Sequence, residues 1–190
     1  MNKDRLTQRY RRMARNNRWS NYRLLGACAQ LSQTDFEAPR SGFFPSIQAT
    51  LNHILEVDCH YLKPLRQIDQ RPEPEGISGP FTSIEPLARA QLAADLELIS
   101  LCEALDDARL LQSIEWVRPE LGRIAESVED VLLHLFTHQI HHRGQVHAML
   151  SSTRIAPPQL DEFYLEWDLA LRQNDLDEML TQAHSHHADS

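Results

Sequence analysis

Cysteine and glycine are both scarce in this sequence, and it contains no long apolar run. The three cysteines, Cys28, Cys59 and Cys102, lie far apart and form no C-x-x-C pair. This spacing argues against a disulfide framework or a zinc ribbon and predicts reduced thiols. Apolar runs such as residues 24–29 are far shorter than the roughly 18 residues that cross a bilayer, so we expect no membrane span. The basic N-terminal segment is followed by no apolar core, which predicts no secretory signal. The expected reduced thiols predict a cytoplasmic protein.

The composition is otherwise that of an ordinary globular chain, but its charge is unevenly placed. Of the 190 residues, 42% are hydrophobic and 24% charged, which excludes wholesale disorder and favours one domain. The net charge is −8, yet residues 1–23 contain eight basic residues and one acidic residue. We expect this basic segment to pair with the acidic stretch 161–178, within the chain or across a dimer. The less favoured alternative is that it contacts nucleic acid or anionic lipid.

The spacing of apolar residues predicts five helices separated by Pro- and Gly-containing breaks. The expected helices cover 4–31, 46–69, 82–108, 127–150 and 160–180. Ser127 and Asp130 predict the cap of the fourth helix, and Thr82 and Glu85 form a capping-box pattern at the third. Residues 111–122 predict an extended segment or a short hairpin.

These elements predict an all-α fold, a four-helix bundle with an additional C-terminal helix. The expected domains are a bundle over 1–152, an extension over 153–183 and a disordered His-rich tail over 184–190. The helix connectivity is left open, because the long connection around residues 71–81 permits either a neighbouring antiparallel partner or a crossover.

Five histidines lie on the predicted helix 127–150, and their rotation about the helix axis separates them. At about 100° per residue, His138 and His142 fall against the apolar stripe, one turn apart, which is the spacing of a metal-binding pair. His53, on the helix 46–69, also borders an apolar stripe. The competing interpretation is that all three are hydrogen-bonded core histidines.

Three segments of the sequence together resemble the DinB family. They are NRWSNYRLL at 17–25, TLNHILEVD at 50–58 and, most specifically, HLFTHQIHHRGQV at 134–146. The resemblance implies a four-helix bundle in which His53, His138 and His142 bind a divalent ion such as nickel or zinc. Three imidazole nitrogens also suit iron or cobalt. It also implies a homodimer. Some relatives are thiol-dependent S-transferases or isomerases that use low-molecular-weight thiols.

Such a site would be of the catalytic type, since structural zinc sites close with four protein ligands. The sequence therefore predicts a metal-dependent enzyme, an S-transferase or a hydrolase, acting on a small molecule such as a low-molecular-weight thiol. The alternative is a non-catalytic metal-binding stress-response protein acting as a dimer. No catalytic residue is assigned. Gln145 is a candidate substrate contact and His141 a candidate proton shuttle, whereas Arg143 is expected to face a neighbouring helix or solvent.

Overall fold

The computed structural model describes residues 5–68, 79–118 and 121–188, and this part of the chain is mostly helical. Its α-helices are α1 (Arg5–Cys28), α2 (Gln33–Glu37), α3 (Ile47–Leu65), α4 (Ile84–Ala104), α5 (Asp107–Leu110), α6 (Val128–Leu150) and α7 (Leu169–Ala188). Two strands, β1 (Ser113–Arg118) and β2 (Gly122–Ser127), form an antiparallel hairpin. Among the described helices, none combines the length and the apolar character that a membrane crossing requires.

The four long helices α1, α3, α4 and α6 pack around a common core. The main contacts run from α1 to α4, from α4 to α3, from α3 to α6 and from α6 back to α1. Apolar side chains form two buried clusters, one containing Leu62 and Leu132 and the other containing Leu24 and Val146. Between these clusters, α1 and α6 bury several polar side chains, Asn17 and Asn21 on α1 and Gln139 and Arg143 on α6.

The helix starts are set by local hydrogen bonds in one case and by tertiary contacts in another. Ser127 caps α6 as predicted, because its side chain accepts a hydrogen bond from the Asp130 N–H. The capping box predicted at Thr82 is wrong: the cap residue of α4 is Ser83, whose side chain makes no capping bond. The Thr82 carbonyl accepts hydrogen bonds from Gln33 and Gln48 instead, which ties this turn to α2 and α3.

The hairpin predicted around residues 111–122 forms, but it extends to Ser127, at the start of α6. Trp116 lies opposite Ile124 in its register, and Gly122 adopts a φ of 76°, a left-handed conformation that favours glycine. β1 also packs against α3. Most of the Pro- and Gly-rich connection predicted at 71–81 lies outside the described residues.

The C-terminal part differs most from the sequence prediction. Residues 160–165 are not helical, and α7 begins only at Leu169, after one turn of 3-10 helix over Glu166–Asp168. α7 then continues to Ala188, through much of the segment predicted to be disordered. No proline or glycine interrupts the sequence after residue 158 to end that helix. The boundary expected at residue 152 stays a prediction.

Basic residues of α1 do contact the C-terminal segment, as their charge predicted. Arg23 forms ion pairs with Asp175 at 2.7 Å and with Glu162 at 3.5 Å. Arg12 and Arg18 donate instead to backbone carbonyl oxygens of that segment. The three cysteines are unpaired, and Cys28 and Cys102 are buried.

Candidate metal centre

Three imidazoles from two helices meet at one point between α3 and α6. His53 comes from α3, and His138 and His142 come from α6, one turn apart on the same face. One ring nitrogen from each of the three lies within 4.8 Å of the other two. Within the described part of the chain, no fourth His, Cys, Asp or Glu joins this group. The structure thus brings together the three histidines that the sequence singled out.

The closest approach in the group joins two ring nitrogens. The Nε2 atoms of His53 and His138 are 3.0 Å apart, and the ring centroids of His138 and His142 are 4.4 Å apart. Zinc–nitrogen bonds of about 2.0–2.1 Å would allow one ion to reach both Nε2 atoms. His138 is further distinguished by its Nδ1 atom, which is buried and has no hydrogen-bond partner among the described residues.

His142 is oriented by a glutamine on the next turn of α6. Its Nδ1 lies 2.8 Å from Oε1 of Gln145, and since an amide oxygen only accepts, Nδ1 carries the proton. The lone pair is therefore on Nε2, the arrangement that metal-binding histidines commonly show. The Gln145 amide nitrogen lies 3.0 Å from Nε2 of His141. Gln145, expected to face substrate, instead links His142 to His141.

The electrostatics of the group favour neutral imidazoles. Burial, together with the neighbouring histidines, lowers the pKa of His138 to about 4. Burial is also the main cause of the lowered pKa of His53, and the proximity of His142 adds to it. The pKa of His142 is lowered chiefly by burial, although the Gln145 contact opposes this. All three rings are thus neutral near pH 7, the protonation state that metal binding requires.

Aromatic rings from the loop before α3 lie against the group. The ring centroid of Phe44 is 4.3 Å from that of His53 and 5.6 Å from that of His142. Phe43 lies 6.5 Å from His142 and is 79% exposed. Phenylalanine supplies no ligand atom, so this side of the group is an apolar wall. Sequence reasoning treated the loop as a helix break and did not place either ring at the three histidines, since no local signal connects them to α6.

The other predicted residues fall in different places. Arg143 is only 4% exposed and faces the neighbouring helices rather than solvent. A Cβ atom at Gly144 would meet nothing within 4 Å, so no neighbouring element packs closely against this glycine. His134 stacks near His138 with a centroid distance of 6.4 Å, and His147 lies 3.1 Å from the Pro158 carbonyl oxygen. Neither belongs to the three-histidine group.

A cavity of about 340 Å³ opens on the neighbouring face of α3, but it is not at the histidines. Its walls include Asn52 and Glu56 of α3 and Gly79 and Pro80 of the following connection. Access to the histidines is instead from the surface, where His53 and His138 are partly exposed.

Comparison with known proteins identifies the family of this chain. No curated protein matches it. The sequence model of the DinB family, in contrast, matches residues 1–177, which includes all three histidines and extends into α7. A match over nearly the whole chain goes well beyond the three segments that first suggested the resemblance, and this chain belongs to the DinB family.

Proposed function

We propose that His53, His138 and His142 bind one divalent metal ion and that the protein is a metal-dependent enzyme. The observation that supports this most directly is the convergence of three neutral imidazoles within 4.8 Å, with no fourth protein donor in the group among the described residues. Such a donor set leaves coordination positions for water or substrate. Nickel or zinc is the expected ion, and iron or cobalt also suits three imidazoles.

The protein's own residues have separable roles in this proposal. His53, His138 and His142 hold the ion, and Gln145 fixes the ring of His142 so that its Nε2 faces the group. A bound ion would supply Lewis acidity, polarising a substrate group or favouring the thiolate form of a thiol. The Phe44 ring keeps water from one side of the imidazoles. His141, linked through Gln145, is positioned to exchange protons with solvent because it is exposed.

The reaction class follows from the family resemblance rather than from the geometry. We propose a thiol-dependent S-transfer or a hydrolysis on a small molecule. We also propose that the four long helices constitute a bundle of the DinB type, that the protein acts as a homodimer and that it is cytoplasmic. Sedimentation at micromolar concentration tests the dimer, because a single species of one chain mass would contradict it.

Metal content tests the site itself. The terminal residues His184, His186 and His187 are first replaced by alanine, since they can scavenge metal. We expect about one equivalent of metal per chain in this background and little in the His53→Ala and His142→Ala variants, by elemental analysis without added metal. His60→Ala is the matched control, because His60 lies on the same helix as His53 but outside the group. Undiminished stoichiometry in both site variants would rule out the centre.

A panel of small thiols tests the S-transferase class. In cobalt-loaded protein, a thiol that binds the ion as thiolate should add a sulfur-to-metal band to the visible spectrum. Unchanged spectra with every thiol would remove the thiol-dependent class and leave hydrolysis. If the ion proves closed by a fourth protein ligand, the non-catalytic alternative replaces the enzyme.

A further inference from the structure

A layer of buried polar side chains crosses the core at the level of the three histidines. All four long helices contribute to it, and each member is at most 4% exposed. The layer consists of Asn17, Asn21, Asp58, Gln91, Asp95, Gln139 and Arg143. Polar groups in such a position cost free energy unless they are paired, so a connected layer of this size is evidence of a specific arrangement.

The layer is organised around one cation and two carboxylates, with side-chain amides between them. Arg143 donates through Nη1 to the amide oxygens of Asn17, Asn21 and Gln139. The amide nitrogens of Asn17 and Asn21 in turn donate to Asp95, at 3.0 Å and 2.9 Å. These bonds fix the orientation of each amide, because reversing one would set donor against donor.

The second carboxylate links the two helices that hold the histidines. Asp58 of α3 accepts through Oδ2 from Gln139 of α6 and, at 2.7 Å, from Gln91 of α4. Gln91 also reaches Asp95, at 3.3 Å, which closes the layer. The direct side-chain connection between α3 and α6 in this layer is therefore the bond between Asp58 and Gln139.

On α6, each of the two site histidines is followed directly by a residue of the polar layer. Gln139 follows His138 and Arg143 follows His142, so the two pairs are one turn apart. Neighbouring residues on a helix differ by about 100° in direction. When Gln139 and Arg143 face the core layer, His138 and His142 are consequently turned toward α3, where His53 lies.

We propose, on the basis of the three-histidine metal site, that this layer sets the rotation of α6 against α3 and so places the imidazoles for metal binding. Asp58 and Gln139 are its principal positioning residues; neither lies in the three-histidine group itself. Apolar packing alone tolerates small rotations and shifts, because Leu and Val contacts are non-directional. Metal ligands, in contrast, must be held to within about 0.5 Å of their working positions.

The test compares variants that break the Asp58–Gln139 bond with one that lowers stability elsewhere. Gln139→Met keeps the side chain's length but removes its hydrogen bonds, and Asp58→Leu breaks the same bond from α3. Asp58→Asn retains an acceptor oxygen for Gln139 and serves as the conservative variant. Leu101→Ala, in the apolar core of α4, is the destabilising control outside the layer. Each protein is measured for its zinc Kd by chelator competition, its cobalt spectrum and its metal-free urea stability.

We expect Gln139→Met and Asp58→Leu to raise the zinc Kd by roughly 10-fold or more and to change the cobalt spectrum. Asp58→Asn and Leu101→Ala should stay within about 2-fold of the parent Kd, although Leu101→Ala unfolds at lower urea. If only one of the two disruptive variants folds, its Kd decides the question.

Three results would overturn the proposal, and they distinguish a failed positioning role from a failed metal site. If the parent protein binds zinc but the disruptive variants keep its Kd and spectrum, the layer has no positioning role and the metal site stands. If Leu101→Ala and Gln139→Met both weaken zinc binding in proportion to their loss of stability in urea, the layer likewise has no positioning role. If the parent binds neither zinc nor cobalt, the metal site fails and the positioning role fails with it.

Discussion

At the scale of single residues, the most unusual feature is the placement of two carboxyl groups and one guanidinium in the core. Burial, with the proximity of Asp95, raises the pKa of Asp58 to about 7. Burial raises the pKa of Asp95 to about 6, and it lowers the pKa of Arg143 to about 10. Arg143 is thus charged near pH 7, while the two carboxyl groups together retain part of a proton.

This arrangement predicts that Asp58 makes the metal-free protein less stable as the pH rises. Unfolded aspartate has a pKa of about 3.9, so between about pH 4 and pH 7 the folded state holds a proton that the unfolded state lacks. That stabilisation is complete at low pH and is lost as the pH rises through the folded pKa. The asparagine of Asp58→Asn cannot titrate. The free energy of unfolding of this variant, relative to that of the parent, should therefore increase from pH 5 to pH 8. The expected gain is on the order of 1 kcal/mol or more.

Urea unfolding of both proteins in the presence of a chelator measures this difference. Histidine titration acts on both proteins alike and cancels when the two profiles are subtracted. Parallel profiles from pH 5 to pH 8 would show that Asp58 is ionised in the folded core throughout.

At the scale of helices and strands, what the sequence could predict depended on whether the signal was local. The range predicted for α6 agrees closely with the structure, because its cap is a local hydrogen bond from the Asp130 N–H to the Ser127 side chain, three residues apart. The short helix α2 was not predicted. It has only five residues after its cap, Ser32, and the prolines and glycine that follow it favoured a break. The segment before α7 makes non-local contacts that its own sequence does not predict: Arg12 and Arg23 of α1 donate to the carbonyl oxygens of Tyr164 and Gln159.

The candidate site divides in the same way. Rotation about α3 and α6 selected the three histidines, because each position depends on its own helix. The contact of Phe44 with His53 and the inward direction of Arg143 depend on how separate elements pack. Periodicity along one helix contains no information on either.

The cap of α6 gives a prediction at this scale. Ser127→Ala removes the acceptor for the Asp130 N–H and should lower the free energy of unfolding by about 1 kcal/mol, within a range of about 0.5–2. Ser41→Ala is the control, since Ser41 is exposed in the loop before α3 and caps no helix. Urea unfolding measures both. Equal effects of the two substitutions would mean that the cap contributes nothing specific.

At the scale of the whole molecule, the C-terminal segment is part of the structure that surrounds α1. Trp19, which is completely buried, donates its indole N–H to Asp175 of α7 at 2.9 Å. The guanidinium of Arg23 lies 4.4 Å from the Trp19 ring centroid and donates to the same carboxylate. Phe163, in the segment before α7, also packs against Trp19, with the two ring centroids 5.5 Å apart. The acidic C-terminal segment and the basic helix α1 therefore contact each other within one chain, through the ion pairs of Arg23 with Asp175 and Glu162.

Asp175 is the residue on which this contact depends most. Asp175→Ala leaves the buried indole N–H of Trp19 without its acceptor, so it should lower the free energy of unfolding by about 1–3 kcal/mol. Asp177→Ala, two residues along the same helix but exposed, removes the same charge and should change it by at most about 0.5 kcal/mol. Urea unfolding followed by tryptophan fluorescence measures both variants. A similar, small effect of the two substitutions would mean that α7 rests on α1 through general charge attraction, and that the bond to Trp19 contributes little to the stability of the fold.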